Sequence, residues 1–329
     1  MEYSEYKKKI LEARNAYKEG NIKKAIELFE LAMEESCDVD DALDLGLIYS
    51  ENKQFEDAKR LIQGVIREEE KEYARSFYCL GYIYDENNFY EDALKNYKKA
   101  YEIEKNSKFA FAIARMLDEV NDKEAIDYYL ICEKEMSNDY WVNLNIGSWY
   151  ERNGNYELAL KYTLKAKDID PTKEMASYNL GVVYSRLERF DESLNAYLDE
   201  LKCEKPYDLV YYNLGILYKD IYKDYENSKY YYLKGINNDK ENLSLWYNLG
   251  CLNALYNYYK DAYQCFLYVK LKKKNVVEWI EKDEELVEFR KSDEYKLLEK
   301  EFWKGFVLYK SFFDFYDIIN IRKWWRWWK

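Results

Sequence analysis

The sequence contains no histidine at all. That removes imidazole bases, Ser-His dyads and histidine metal ligands from consideration. Proline is almost as scarce, with 2 residues, and glycine contributes only 11 of 329. So little punctuation leaves few places for hairpins or long loops and favours extended runs of helix. The six cysteines, at 37, 79, 132, 203, 251 and 265, form no CxxC pair and no metal-site spacing. They read as packed free thiols in a reducing compartment. There is no GxxxxGK[ST] and no GxGxxG, so no phosphate-cradling loop is signalled. Basic excess is missing too. With 51 basic and 63 acidic residues the net charge is −12, which gives nucleic acid no basic face to bind. The N-terminus lacks the apolar segment of a signal peptide. The most apolar stretch, FVLYKSFFDFYDIINI at 306–321, is interrupted by Lys310, Asp314 and Asp317 and is too short to span a bilayer. A cytoplasmic, non-catalytic protein without cofactor or metal is therefore expected. The acid runs EEE at 68–70 and DEE at 283–285 read as solvated helix faces.

Tyrosine is present in quantity, with 38 residues among 48% hydrophobic and 35% charged. Its excess, with Lys, Asn and Ile, fits an AT-rich genome. Its placement is periodic. The word YNLG occurs at 178–181, 212–215 and 247–250, and NIG at 145–147. Taking its glycine as anchor, matching positions fall at Gly46, Gly81, Gly147, Gly181, Gly215 and Gly250, with Ala114 and Ala13 filling two more. Self-similarity at this period decides the fold. Twelve residues on comes a small residue (Ala25, Ala58, Ala93, Ala159, Ser193, Ala262), with Ala125 and Ser228 shifted by one. About four further on comes a large one (Phe29, Ile62, Tyr97, Tyr129, Tyr197, Tyr232, Phe266); Thr163 stands in the fifth copy. Small residues at the anchor and twelve later permit close approach of two helices, with aromatics filling the space beside the contact. Gly20 and Gly154 mark turns between paired helices, and Pro171 and Pro206 are expected just past the second helix of their pairs.

The stretches SYNLGVVYSRLERFDESLNAYLDELKCEKP and NIGSWYERNGNYELALKYTLKAKDIDP resemble the tetratricopeptide repeat, and the pattern fits about eight tandem copies over residues 6–276. Departures are few: the fourth copy lacks the glycine, the seventh has an extra loop residue, and the eighth has Asn253 where the tyrosine belongs. The resemblance implies an all-α, right-handed α-α superhelix with C-terminal capping helices. Residues 277–300 are expected to form the cap, with Leu286, Phe289, Tyr295 and Leu298 on the last repeat. Residues 301–329 are expected to hold an amphipathic helix, with apolar positions at 302, 306, 309, 313 and 316, followed by a Trp-rich basic tail.

In this family the first helices line a concave wall that generally takes an extended peptide or partner helix. The resemblance thus implies a protein-interaction scaffold with a protein or peptide ligand. On that register the wall carries Asn145, Asn179, Asn213 and Asn248, similar in position to the asparagine ladder of the repeat domain of O-GlcNAc transferase. An amide offers donor and acceptor together, matching a peptide backbone whatever its sequence; the same residues could equally be solvated positions of the repeat. Tyr178, Tyr212, Tyr247, Arg152, Arg186 and Lys219 join them, a composition suited to hot spots. The residue set that clamps a chaperone's terminal carboxylate in some relatives is not recognisable. The tail IRKWWRWWK sets Trp324, Trp325, Trp327 and Trp328 among four basic residues. Three readings stand: an interfacial membrane anchor, which would make the chain a peripheral membrane scaffold; a segment docking on an acidic solenoid, its own or a neighbour's; or an end without a role.

Overall fold

The computed structural model describes residues 2–34, 38–68, 73–273 and 275–300. The tail tryptophans and the helix expected over 301–329 lie outside the described residues. Every α-helix in the repeat region belongs to a hairpin. Five hairpins form α1 (Glu2–Lys18) with α2 (Ile22–Met33), α3 (Val39–Glu51) with α4 (Phe55–Glu68), α5 (Ala74–Glu86) with α6 (Tyr90–Ile103), α7 (Ser107–Glu119) with α8 (Ala125–Glu135), and α9 (Tyr140–Arg152) with α10 (Tyr156–Ile169). Three more pair α11 (Ala176–Arg186) with α12 (Phe190–Glu200), α13 (Leu209–Asp220) with α14 (Tyr225–Asn238), and α15 (Leu243–Leu255) with α16 (Tyr259–Lys272). After them come α17 (Val276–Lys282), two 3-10 turns (Glu284–Leu286 and Phe289–Lys291) and α18 (Asp293–Glu299). No strand occurs among the described residues. The chain divides into two compact units, residues 1–170 with the first five hairpins and 171–329 with the last three and the capping helices.

The anchor glycine receives a side chain of the second helix. A Cβ on Gly215 would come within 2.2 Å of the Tyr232 ring, and one on Gly181 within 2.4 Å of the Tyr197 ring. Those rings are fully or almost fully buried, so the space cannot be made by moving a flexible tip. Where the small residue of the second helix is serine, its hydroxyl donates to the anchor carbonyl: Ser193 to Gly181 at 2.7 Å and Ser228 to Gly215 at 2.8 Å. The word is thus a packing instruction, written once per hairpin.

The turn inside each hairpin uses one left-handed residue two or more positions before the second helix. Gly20 and Gly154 occupy it with φ of 78° and 77°. Elsewhere Lys53, Asn88, Asn121, Glu188, Lys223 and Asn257 take it with φ between 53° and 63°. Asparagine tolerates that conformation better than lysine or glutamate. Several second helices begin at side-chain caps, such as Asn21, Asn155 and Asp224.

Pro171 follows α10 as expected, but Pro206 does not close α12. That helix ends at Glu200, six residues earlier. Glu200 is fully buried, and its carboxylate accepts the backbone N–H groups of Met175 (2.9 Å), Tyr178 (3.2 Å) and Tyr207 (3.0 Å). One carboxylate therefore satisfies the start of α11 and the loop into α13, and the chain leaves the helix to reach it.

In the second unit the capping segment completes a core. Ile280, Leu286, Phe289, Tyr295 and Leu298 are buried against Leu249, Cys265, Phe266 and Val269 of the last hairpin. Phe289 packs on Phe266 at 5.3 Å between ring centroids.

Candidate functional site

In the first unit the first helices of successive hairpins are tied together by charge. Arg14 reaches Asp41 (2.7 Å) and Asp44 (2.9 Å), one hairpin on. Arg75 returns to the same helix, pairing with Asp40 and Asp44. Arg152 pairs with Asp118, and Asp118 also accepts from the Tyr129 hydroxyl. Tyr17 of the first hairpin donates to Glu51 of the second at 2.7 Å, and that acceptor pushes its pKa up to about 12. The Asn145 amide donates to the Trp141 carbonyl of its own helix at 2.7 Å. Of the wall residues singled out by sequence, this unit holds Asn145 and Arg152, and both are engaged within the protein.

The second unit brings the remaining eight together on α11, α13 and α15. Asn213 bridges repeats: its amide donates to the hydroxyls of Tyr178 (3.1 Å) and Tyr197 (3.2 Å). Tyr178 in turn packs edge-on to Tyr207 at 4.8 Å. Asn248, one repeat later, turns instead to the Ser244 carbonyl of its own helix at 2.9 Å. The equivalent buried hydroxyl, on Tyr232, has Ser228 rather than an asparagine as its hydrogen-bonding neighbour. Asn179 and Tyr212 are half-buried, and Arg186, at the end of α11, is exposed.

Tyr247 and Lys219 are met by the capping segment. Tyr247 donates to Asp283 at 3.1 Å and lies edge-on to Trp279 at 5.8 Å. Lys219 is 8% exposed, and its ammonium bonds Glu285 at 2.7 Å and Asp220 at 3.1 Å. Burial opposes its charge, but the two carboxylates outweigh it and raise the lysine pKa. Cys251 lies beneath, with its thiol 3.8 Å from Asp283 and its pKa pushed up by burial. Asp283 also caps the turn through Glu285 N, and Arg290 holds the Ile280 and Asp283 carbonyls at 2.8 and 2.7 Å. The acid run at 283–285, which reads as a solvated face in sequence, therefore supplies two carboxylates to the wall. Nothing near Lys219 in sequence announces a partner 66 residues on; the one local signal is a lysine where other copies carry a neutral or acidic side chain.

Among the described residues no group of three or more Cys, Asp or Glu could hold a metal ion. No helix among them is long and apolar enough to cross a membrane.

Hairpins of two helices, repeated with a small anchor in one and a bulky residue of the other seated on it, define a helical-repeat solenoid. A model of the tetratricopeptide repeat matches residues 74–107 and 142–173, the third and fifth copies. The chain carries tetratricopeptide repeats. Its fold is similar to a chain of the APC/C hetero-tetramer Cut9-Hcn1, with TM-score 0.59, 15% identity, and coverage of 85% of this chain and 54% of that one. It is also similar to PilF of Pseudomonas aeruginosa, with TM-score 0.55, 16% identity, and coverage of 63% of this chain and 94% of that one. The chain thus spans about half the length of the first of these relatives. Among curated proteins nothing matches significantly.

Proposed function

We propose that the chain is a non-catalytic protein-interaction scaffold whose second unit takes an extended segment of a partner protein along the first-helix face of α11, α13 and α15. The observation that carries this reading is the repetition, at the repeat period, of half-buried amide and tyrosine side chains on the first helices: Asn179, Asn213 and Asn248 beside Tyr178, Tyr212 and Tyr247. Rigid aromatics give contact area at little entropic cost, and amides can match a backbone. The Asn213 bridge to two hydroxyls uses donor capacity while its carbonyl oxygen can still accept. On this reading the first unit, whose wall residues pair with one another, acts as spacer and support. A relative in the Cut9-Hcn1 assembly is itself seen bound to other chains, which is consistent with a scaffold and says nothing of this chain's partner.

The test is capture from the source organism's lysate with full-length chain. Replacing Asn179, Arg186 and Tyr212 together by Ala is expected to weaken capture of the partner about tenfold or more, the size of a hot-spot loss. Equal capture by both forms would move recognition away from this wall.

A second reading rests on the sequence of the tail alone. Four tryptophans among four cations suit an anionic membrane interface. Co-sedimentation with phosphatidylserine vesicles, with and without residues 321–329, tests it; equal pelleting of both forms ends it.

A further inference from the structure

We infer that the acidic turn 283–285 is an in-cis ligand of the second unit's wall, and that the partner segment entering this end of the wall carries a carboxylate that displaces Glu285. The inference rests on the wall-binding reading above and names the chemistry of the segment.

The argument starts from Lys219. It is buried among wall residues and cannot reach bulk water without a partner, so its ammonium needs carboxylate oxygens. Asp220, the next residue on its own helix, supplies one permanently. Glu285 supplies the other from the capping segment, with its own side chain 47% exposed while that of Lys219 is 9% exposed. The two halves of this pair differ in kind. The cation is fixed in the wall, and the anion is a solvent-facing side chain on a turn. Leu286 beside it is fully buried and Arg290 clamps the backbone, so the turn itself stays in place. Only the Glu285 side chain has to swing away to vacate the seat.

An acidic segment fits this seat, which already holds a carboxylate against Lys219; a basic one would set its cations against Lys219.

The experiment uses full-length chain and fluorescein-labelled hexaglutamate as the probe, read by fluorescence anisotropy at low ionic strength. The Glu285→Ala variant is expected to bind the probe about tenfold more tightly than wild type, the worth of one charge-assisted hydrogen bond at a half-buried site. Adding Lys219→Met is expected to abolish that gain. Glu284→Ala removes the same charge from the same turn but touches no wall residue described above, and is expected to bind as wild type does. A Glu285→Ala chain no tighter than wild type, a gain that survives Lys219→Met, or an equal gain in Glu284→Ala overturns the inference. Far-ultraviolet circular dichroism of each variant confirms that it is folded. If partner capture still depends on Asn179, Arg186 and Tyr212 while the probe ignores Glu285, the wall binds a segment but the turn is not its competitor, so the two readings fail separately.

Discussion

Glu200 shows what a single residue can do that its sequence context hides. It follows an ordinary helix face in LNAYLDE, and nothing there distinguishes it from a solvated acid. In the structure it has no exposed surface and no basic partner among its hydrogen bonds; three backbone N–H groups satisfy it instead. The arrangement also holds Met175, which has φ of 79°, a conformation costly for a side chain of that size. Replacing Glu200 by Ala leaves three buried donors unpaired and removes what fixes the loop. A loss of about 3 kcal/mol in urea unfolding is expected, from donors that each cost ~1–3 kcal/mol when orphaned. Glu200→Gln keeps one acceptor oxygen but loses the charge, and should fall between. A Glu200→Ala chain as stable as wild type would show that water or a shifted loop satisfies the donors as well. Asp283 and Glu285 belong at this scale too. Their partners lie 36 and 66 residues away, and no local pattern encodes a contact of that kind.

At the scale of the element, the hairpin was legible and its reasons were partly so. The spacing of YNLG gives the hairpin period, and the small residue twelve positions on locates the facing helix. What spacing could not give is which atom fills the gap. Tyr197 and Tyr232 seat on glycine, whereas Thr163 takes that place in the fifth hairpin, its hydroxyl buried without a hydrogen-bond partner. The turns offer a cleaner test, because eight hairpins place different residues in one left-handed position. Glycine there carries no penalty, and a lysine or glutamate pays for its Cβ. Lys53→Gly and Glu188→Gly are each expected to raise stability by about 0.5–1 kcal/mol, after allowing for the extra freedom of glycine in the unfolded chain. Gly154→Ala is expected to lower it by ~1 kcal/mol. Thermal and urea melts of the three single variants check the sign, and a destabilised Glu188→Gly would mean that the side chain, not the backbone, holds that turn.

For the whole molecule, periodicity reported repeats but not the division of the chain at 170/171 into two compact units. The word runs through that boundary without change of pitch; only the loop conformation around Met175 and the end of α12 at Glu200 differ. A property both units share is their cores' dependence on tyrosine. Tyr97 and Tyr129 in the first unit and Tyr197 and Tyr232 in the second are fully or almost fully buried, and burial raises the pKa of each above the ordinary tyrosine value. Tyr222 and Tyr231, nearer the surface, are pushed up to about 12. A raised folded pKa means that the native state holds the proton more tightly than the unfolded chain does. Its contribution is whole below about pH 10, where neither state ionises, and is lost as pH climbs from there towards the folded value. Each buried tyrosine adds to the same slope, so the chain is expected to unfold cooperatively in alkali, starting just above pH 10. Absorbance at 295 nm should show the more exposed tyrosines among the 38 ionising first and the buried ones only with the loss of helix. Gradual ionisation of all of them while the far-ultraviolet signal stays intact would mean that the tyrosine rings are hydrated and that the hairpins are held by other contacts.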